Sequence, residues 1–220
     1  MATTVYFVLQ PATWSGIDSH LCRPLLGSRR ADDIPWVSVA RSSAHGQVEL
    51  VKRDGLDGAA ARALVSQART WIDTNELSWQ VVAQRGFLFW KRPSMLRPIN
   101  AKAGIGLTTD PMDDLSSELV LSPRALAEAA AKLGSSDLIA AIPKRGWLVL
   151  APGRPGEVPR MLEVHQIADG VFGRAEAKDA LTDTVFFVQN GAVSGISRMK
   201  ANAGSLSLLK PDEAAWQFPN

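Results

Sequence analysis

Ser194, within Gly191-Ala192-Val193-Ser194-Gly195, is the chain's nearest approach to a catalytic nucleophile. A nucleophile elbow needs glycines two residues to either side of its serine, so that the turn can be sharp enough to expose the hydroxyl. Here the glycines stand three residues before and one residue after Ser194. A hairpin turn explains them better. Phosphate cradling needs a glycine-rich loop that opens a helix. Gly104-Ile105-Gly106 lacks the third glycine, and no Gly-Lys-Ser/Thr occurs. His20, His45 and His165 are widely spaced and share no ligand spacing. Asp110, Asp113, Asp114 and Glu118 form the densest acidic cluster. Carboxylates of this kind can hold a hard cation, but acids ahead of a helix also suit the positive end of its dipole. A solvated face is the reading taken. No catalytic residue, metal ligand or cofactor is therefore expected. The lone cysteine, Cys22, lies between His20 and Arg23, whose charges could lower a thiol pKa. It reads as a small, partly buried side chain.

A basic stretch with aromatic residues is the one pattern that points to a ligand class. Arg85, Lys91, Arg92, Arg97 and Lys102 fall between residues 85 and 109 with no acid among them, and Phe87, Phe89 and Trp90 interleave. Cations with stacking rings are the ingredients of single-strand nucleic-acid binding. Arg85, Trp90, Lys91, Arg92, Arg97 and Lys102 are the candidate residues. Against this, alternating aromatics on a strand usually face a core, and a charge run is usually soluble surface. The formal net charge of +2 gives the whole chain no pull toward polyanions.

With 220 residues, the chain has room for one large domain or two small ones. Its apolar fraction of 46% and charged fraction of 21% are ordinary globular usage. A single cysteine excludes an internal disulfide and fits a reducing compartment. The N-terminus has no basic residue before Arg23 and does not read as a signal peptide. No apolar run approaches the ~18 residues that would span a bilayer, and no Asn-x-Ser/Thr acceptor is present. The expectation is a cytoplasmic protein with no membrane role.

The elements that must position these residues read as follows. Thr3–Leu9, Pro35–Arg41 and Gln47–Arg53 are predicted strands, the last two joined through Ser43-Ala44-His45-Gly46. Residues 12–33 show no clean period. Asp57 caps a helix whose apolar face is Ala61, Leu64, Val65, Ala68, Trp71 and Ile72. Trp79–Ala83 and Phe87–Trp90 read as strands around a turn at Gln84-Arg85-Gly86. Residues 91–115, with Pro93, Pro98 and Pro111, read as irregular and as a domain boundary. Ser122-Pro123 starts a second helix, which Gly134 ends. Asp137–Ile142 and Trp147–Ala151 are strands, and Pro159–Ala168 is a helix. Thr184–Gln189 and Ala192–Ile196 flank Asn190-Gly191, the strongest hairpin signal present. The tail from Ser197 is weak until Trp216 and Phe218. Arg85-Gly86-Phe87-Leu88 is echoed by Arg145-Gly146-Trp147-Leu148, each in a hairpin after an amphipathic helix. That order is compatible with a repeated helix–hairpin unit.

Three stretches resemble the YtpQ-like proteins, an uncharacterised bacterial family. They are the helix from Leu121-Ser122-Pro123-Arg124 to Lys132-Leu133, the run Asp137-Leu138-Ile139-Ala140-Ala141-Ile142-Pro143-Lys144-Arg145-Gly146-Trp147-Leu148-Val149, and Leu181-Thr182-Asp183-Thr184-Val185-Phe186-Phe187 before Asn190-Gly191. Gly146-Trp147 stands where the family more often has a short polar pair. The likeness covers roughly residues 118–196. It implies a fold and no activity, because the family has no established function.

The expected fold is α+β, with antiparallel β-hairpins packed on two or three amphipathic helices. The expected division is an N-terminal α+β subdomain over 1–110, a C-terminal helix–hairpin subdomain over 115–200 and a tail over 201–220. The leading functional expectation is a non-catalytic cytosolic binding or adaptor protein acting on another protein. One alternative is a nucleic-acid-associated protein using segment 85–102, with weak binding. The other is an enzyme whose site is assembled from residues distant in sequence.

Overall fold

A computed structural model describes residues 4–26, 33–42, 48–74, 77–86, 92–99, 114–199 and 206–209. They form an α+β fold with two antiparallel sheets and three α-helices. The smaller sheet contains β1 (Val5–Gln10), β2 (Cys22–Pro24), β3 (Trp36–Ser42) and β4 (Val48–Leu50), with β3 bonded to the other three. The larger sheet contains β5 (Ser78–Arg85), β6 (Arg92–Ile99), β7 (Asp137–Ala141), β8 (Val149–Pro152), β9 (Val185–Gln189), β10 (Ala192–Met199) and β11 (Leu206–Leu209). Its spatial order is β11-β10-β9-β7-β8-β6-β5. The helices are α1 (Gly58–Thr74), α2 (Pro123–Leu133) and α3 (Val158–Phe172), and a 3₁₀ turn spans Ser117–Leu121.

Each α-helix is followed by a hairpin: α1 by β5–β6, α2 by β7–β8 and α3 by β9–β10. The three hairpins lie side by side in the larger sheet. The packing does not repeat with the order. α1 lies mainly on β1, whereas α2 lies on β6 and β8, and α3 covers β7, β8 and β9. β5 and β6 therefore join β7–β11 in one sheet.

Alternation along each strand places one set of side chains on each face. Leu138, Ala140, Leu150, Phe186 and Val188 point into the main core, where they meet Val5, Phe7 and Leu9 of β1 and Ala61, Val65, Ala68 and Ile72 of α1. The residues between them, including Ile139, Val149, Ala151 and Phe187, pack against Met161, Val164 and Ala168 of α3. Tyr6 and Val8, on the second face of β1, meet Ala40 and Leu115.

The caps are those the sequence signals. Asp57 Oδ1 accepts from Ala60 N at 2.7 Å, Ser122 Oγ accepts from Ala125 N at 3.1 Å, and Gly134 ends α2 at φ 66°. Asn190 and Gly191 sit at φ 51° and 72°, the left-handed pair that a type I′ hairpin requires.

One segment departs from expectation. Residues 92–99, read as irregular because of Pro93 and Pro98, form β6. Proline lacks a donor and is normally confined to edge positions. Here β6 pairs with β5 from end to end, with register shifts between Val81 and Gln84, Pro93 opposite Gln84 and Pro98 opposite Trp79, but it meets β8 only at Leu96–Leu150. The sparse second ladder makes room for the prolines. Gln84 and Arg85 belong to β5 rather than to a turn. The expected strand at 87–90 and the whole segment 100–113 lie outside the described residues.

Candidate functional site

β1, β2, α1, the 3₁₀ turn, the start of α2 and the β9–β10 hairpin meet around a cavity of about 280 Å³. Phe7 from β1 and Leu25 just beyond β2 line it. Val120 and Leu121 of the 3₁₀ turn and Pro123, which opens α2, make one side. Gly191, Ala192 and Val193 of the β9–β10 turn make another. Arg69, Ile72 and Asp73 come from α1, and Arg23 comes from β2.

Local sequence explains each placement. α1 turns Ala61, Val65, Ala68 and Ile72 inward; Arg69 stands four residues after Val65 and three before Ile72, and Asp73 four after Arg69, so both flank the buried stripe and line the cavity. Cys22 is buried, with its thiol donating to Ile17 O at 3.3 Å, and alternation then turns Arg23 to the opposite face of β2. Gly191 brings the hairpin close to α2. A Cβ there would stand 3.4 Å from Pro123 O and would have to adopt φ +72°.

The lining is mixed, with apolar side chains beside two arginines and one aspartate. Burial, and then the neighbouring Arg69, push the Arg23 pKa down to about 8. A guanidinium keeps its proton in proteins. The lowering therefore measures the cost of holding a positive charge in a half-buried site beside a like charge. Asp73 is the only carboxylate among the lining residues, and its Oδ1 accepts from Ser122 Oγ at 2.5 Å. The same Ser122 hydroxyl caps α2, so Asp73 is tied to the helix start.

The sequence-predicted residues are distributed differently. Arg85 and Arg92 face each other as cross-strand partners at one end of the β5–β6 hairpin. Arg97 lies toward the other end, with its guanidinium 4.1 Å from the Trp147 ring centroid. Arg85 also lines a second hollow, of about 470 Å³, with Arg154, Glu157 and Arg160. The charges there are compensated. Arg85 and Arg160 both bond Glu163 Oε2, at 2.9 and 2.7 Å, and Arg154 bonds Asp137 Oδ2 at 2.9 Å. Trp90, Lys91 and Lys102 lie outside the described residues.

The motifs weighed for chemistry resolve into structure. Ser194 Oγ donates to Phe187 O at 3.4 Å beside a bulge in the β9–β10 ladder. Among the described residues, no group of three His, Cys, Asp or Glu side chains could hold a metal ion. Glu118 is buried and holds the edge of β1. Its Oε1 accepts from Leu9 N at 2.9 Å, and its Oε2 accepts from Ser117 Oγ at 2.6 Å.

Sequence reasoning did not single out Arg69 or Asp73, and it weighed Arg23 only as a neighbour of Cys22. On a helix, Arg69 looks like any solvated cation. Only the tertiary fold shows that it shares a cavity with a strand residue far away in the chain.

No protein-family model matches the chain, and no curated protein or solved structure is similar to it.

Proposed function

We propose that this is a non-catalytic binding protein, and that the cavity between Arg23 and Arg69 holds an anionic group of its ligand. The observation that carries this reading is the pair of guanidinium groups lining one concave, partly apolar space against a single carboxylate. Burial, and then Arg69, disfavour the charged form of Arg23, and a bound anion nearby would favour it. Concave sites with an apolar lining and a few convergent polar groups are where small ligands and anionic termini bind. The α2 start, marked by Pro123, adds the positive end of a helix dipole.

The alternative of a nucleic-acid surface on segment 85–102 gains no comparable support. Arg85 pairs with Glu163 and Arg97 stacks on the ring of Trp147, while Trp90, Lys91 and Lys102 lie outside the described residues.

Thermal denaturation with added anions tests the proposal. A ligand at a hundred times its Kd stabilises the fold by about 2.7 kcal/mol. That corresponds to a Tm rise of roughly 5–10 °C in a chain of this size. Organic anions should produce it with the native protein and not with Arg23→Gln or Arg69→Gln. Equal shifts in all three proteins would overturn it.

A further inference from the structure

β5 ends the larger sheet on the side opposite β11, and among the described residues no strand pairs with its outer edge. We propose that this edge docks an extended segment of a partner protein, added as an antiparallel strand whose acidic N-terminal end meets Arg85 and Arg92. The proposal is independent of the anion-binding cavity.

An open strand edge presents a row of unpaired N–H and C=O groups, and proteins usually blunt it with proline, lysine or a covering element. β5 holds no proline and no lysine. The register shifts between Val81 and Gln84 are the one irregularity in its pairing with β6. α2 and α3 lie chiefly on the strands inside it. Every β5 residue except Trp79 and Ala83 is exposed. Val81 and Val82, at 40% and 39%, are two of the three exposed large apolar side chains among the described residues. Branched apolar side chains at the centre of an open edge suit a partner strand, which supplies backbone bonds and cross-strand apolar contact together.

Charge decides what that strand carries. Arg85 and Arg92 stand directly opposite each other on β5 and β6, an arrangement that repels. Arg85 has Glu163, whose Oε2 it shares with Arg160. Arg92 is exposed and makes no ion pair among the described residues. An acid from the partner relieves the repulsion. Arg85 is the C-terminal residue of β5, so an antiparallel partner reaches it with its N-terminal end. A second copy of β5 matches less well, because residues 78–85 hold no acid. Nucleic acid would leave the valines and the backbone edge unused.

Fluorescence anisotropy on the full chain tests this with a labelled peptide matched in length to β5, alternating Thr and Val and led by two Glu residues. The controls are the same peptide led by two Lys residues, and the Glu-led peptide N-methylated at every Thr and Val amide. Saturable binding of the Glu-led peptide is expected, about tenfold or more tighter than the Lys-led one and lost on N-methylation. Arg92→Glu should invert the preference between the two leaders. Val82→Lys should weaken the Glu-led peptide about tenfold or more. Both positions are exposed, so the fold is retained, which circular dichroism checks.

No saturable binding, equal binding of the Glu-led and Lys-led peptides, or full binding of the N-methylated peptide overturns the proposal. So does an unchanged preference in Arg92→Glu. A thymidine oligonucleotide that binds more tightly than the peptide, and is lost in Arg92→Glu, assigns this end to nucleic acid instead. A native dimer in sedimentation that becomes a monomer in Val82→Lys assigns the edge to a second copy. Either result overturns it.

Discussion

Arg145 donates to the backbone of Leu9, Nη1 to carbonyl oxygen at 2.7 Å, although the two are far apart in the chain. Leu9 lies on the outer edge of β1, where an unpaired strand edge is costly. Arg145 takes the carbonyl, and Glu118 takes the amide of the same residue. Arg145 also reaches Gln10 Oε1 at 2.8 Å. The turn between β7 and β8 thus fixes the strand whose Phe7 lines the cavity.

Arg145→Met should therefore destabilise the protein by about 2–3 kcal/mol, because two acceptors lose charge-assisted donors. Urea denaturation measures this. A change below ~0.5 kcal/mol would show that the β1 edge does not depend on the turn.

Glu118 gives stability a pH dependence of a definite sign. Burial raises its pKa, against the lowering effect of its hydrogen bonds and of Arg145. The folded chain then holds this proton more tightly than the unfolded chain. The contribution is full below about 4.5, the ordinary value, and is lost as pH rises through the raised one. His165 has the opposite sign. Burial pushes it below 6.5, so its contribution is lost as pH falls below that value. Glu118→Gln should remove the loss on the alkaline side of 4.5 while leaving the acid-side loss from His165. Denaturation midpoints across pH 4–8 read both slopes, and parallel curves for native and variant proteins would contradict the assignment.

Gly191 holds the hairpin against α2. Gly191→Val forces a branched side chain into φ +72° and toward Pro123. A loss of about 1–3 kcal/mol is expected, together with weaker anion binding. An unchanged denaturation midpoint would count against the turn geometry.

Arg23 separates binding from folding. Its charge is held at a cost in the free protein. Arg23→Leu should leave stability within about 1 kcal/mol of native, or raise it, while abolishing anion binding. A loss above ~2 kcal/mol would make Arg23 a structural residue.

Much of the fold was legible in local signals. Asp57, Ser122-Pro123, Gly134 and Asn190-Gly191 each do what their chemistry dictates, because caps and tight turns depend on a few adjacent residues. β6 was not legible. Pro93 and Pro98 argue against a strand, and only the sparse ladder to β8 reconciles them with one. β11 (Leu206–Leu209) lay in a tail with no clear pattern. The cavity was less legible still. Its residues come from five separate stretches of chain, and no spacing rule connects Arg23, Arg69 and Val193. The aromatic basic run was conspicuous because its residues are adjacent, and adjacency says little about convergence.

The most direct measurement is titration calorimetry of a series of organic anions into the native protein and of the tightest of them into an Arg23→Gln, Arg69→Gln double variant. Saturable one-to-one binding that weakens at least a hundredfold in the double variant, with its fold intact by circular dichroism, is the result predicted. Undiminished binding in the double variant, or none in the native protein, would contradict the assignment of this cavity as an anion site.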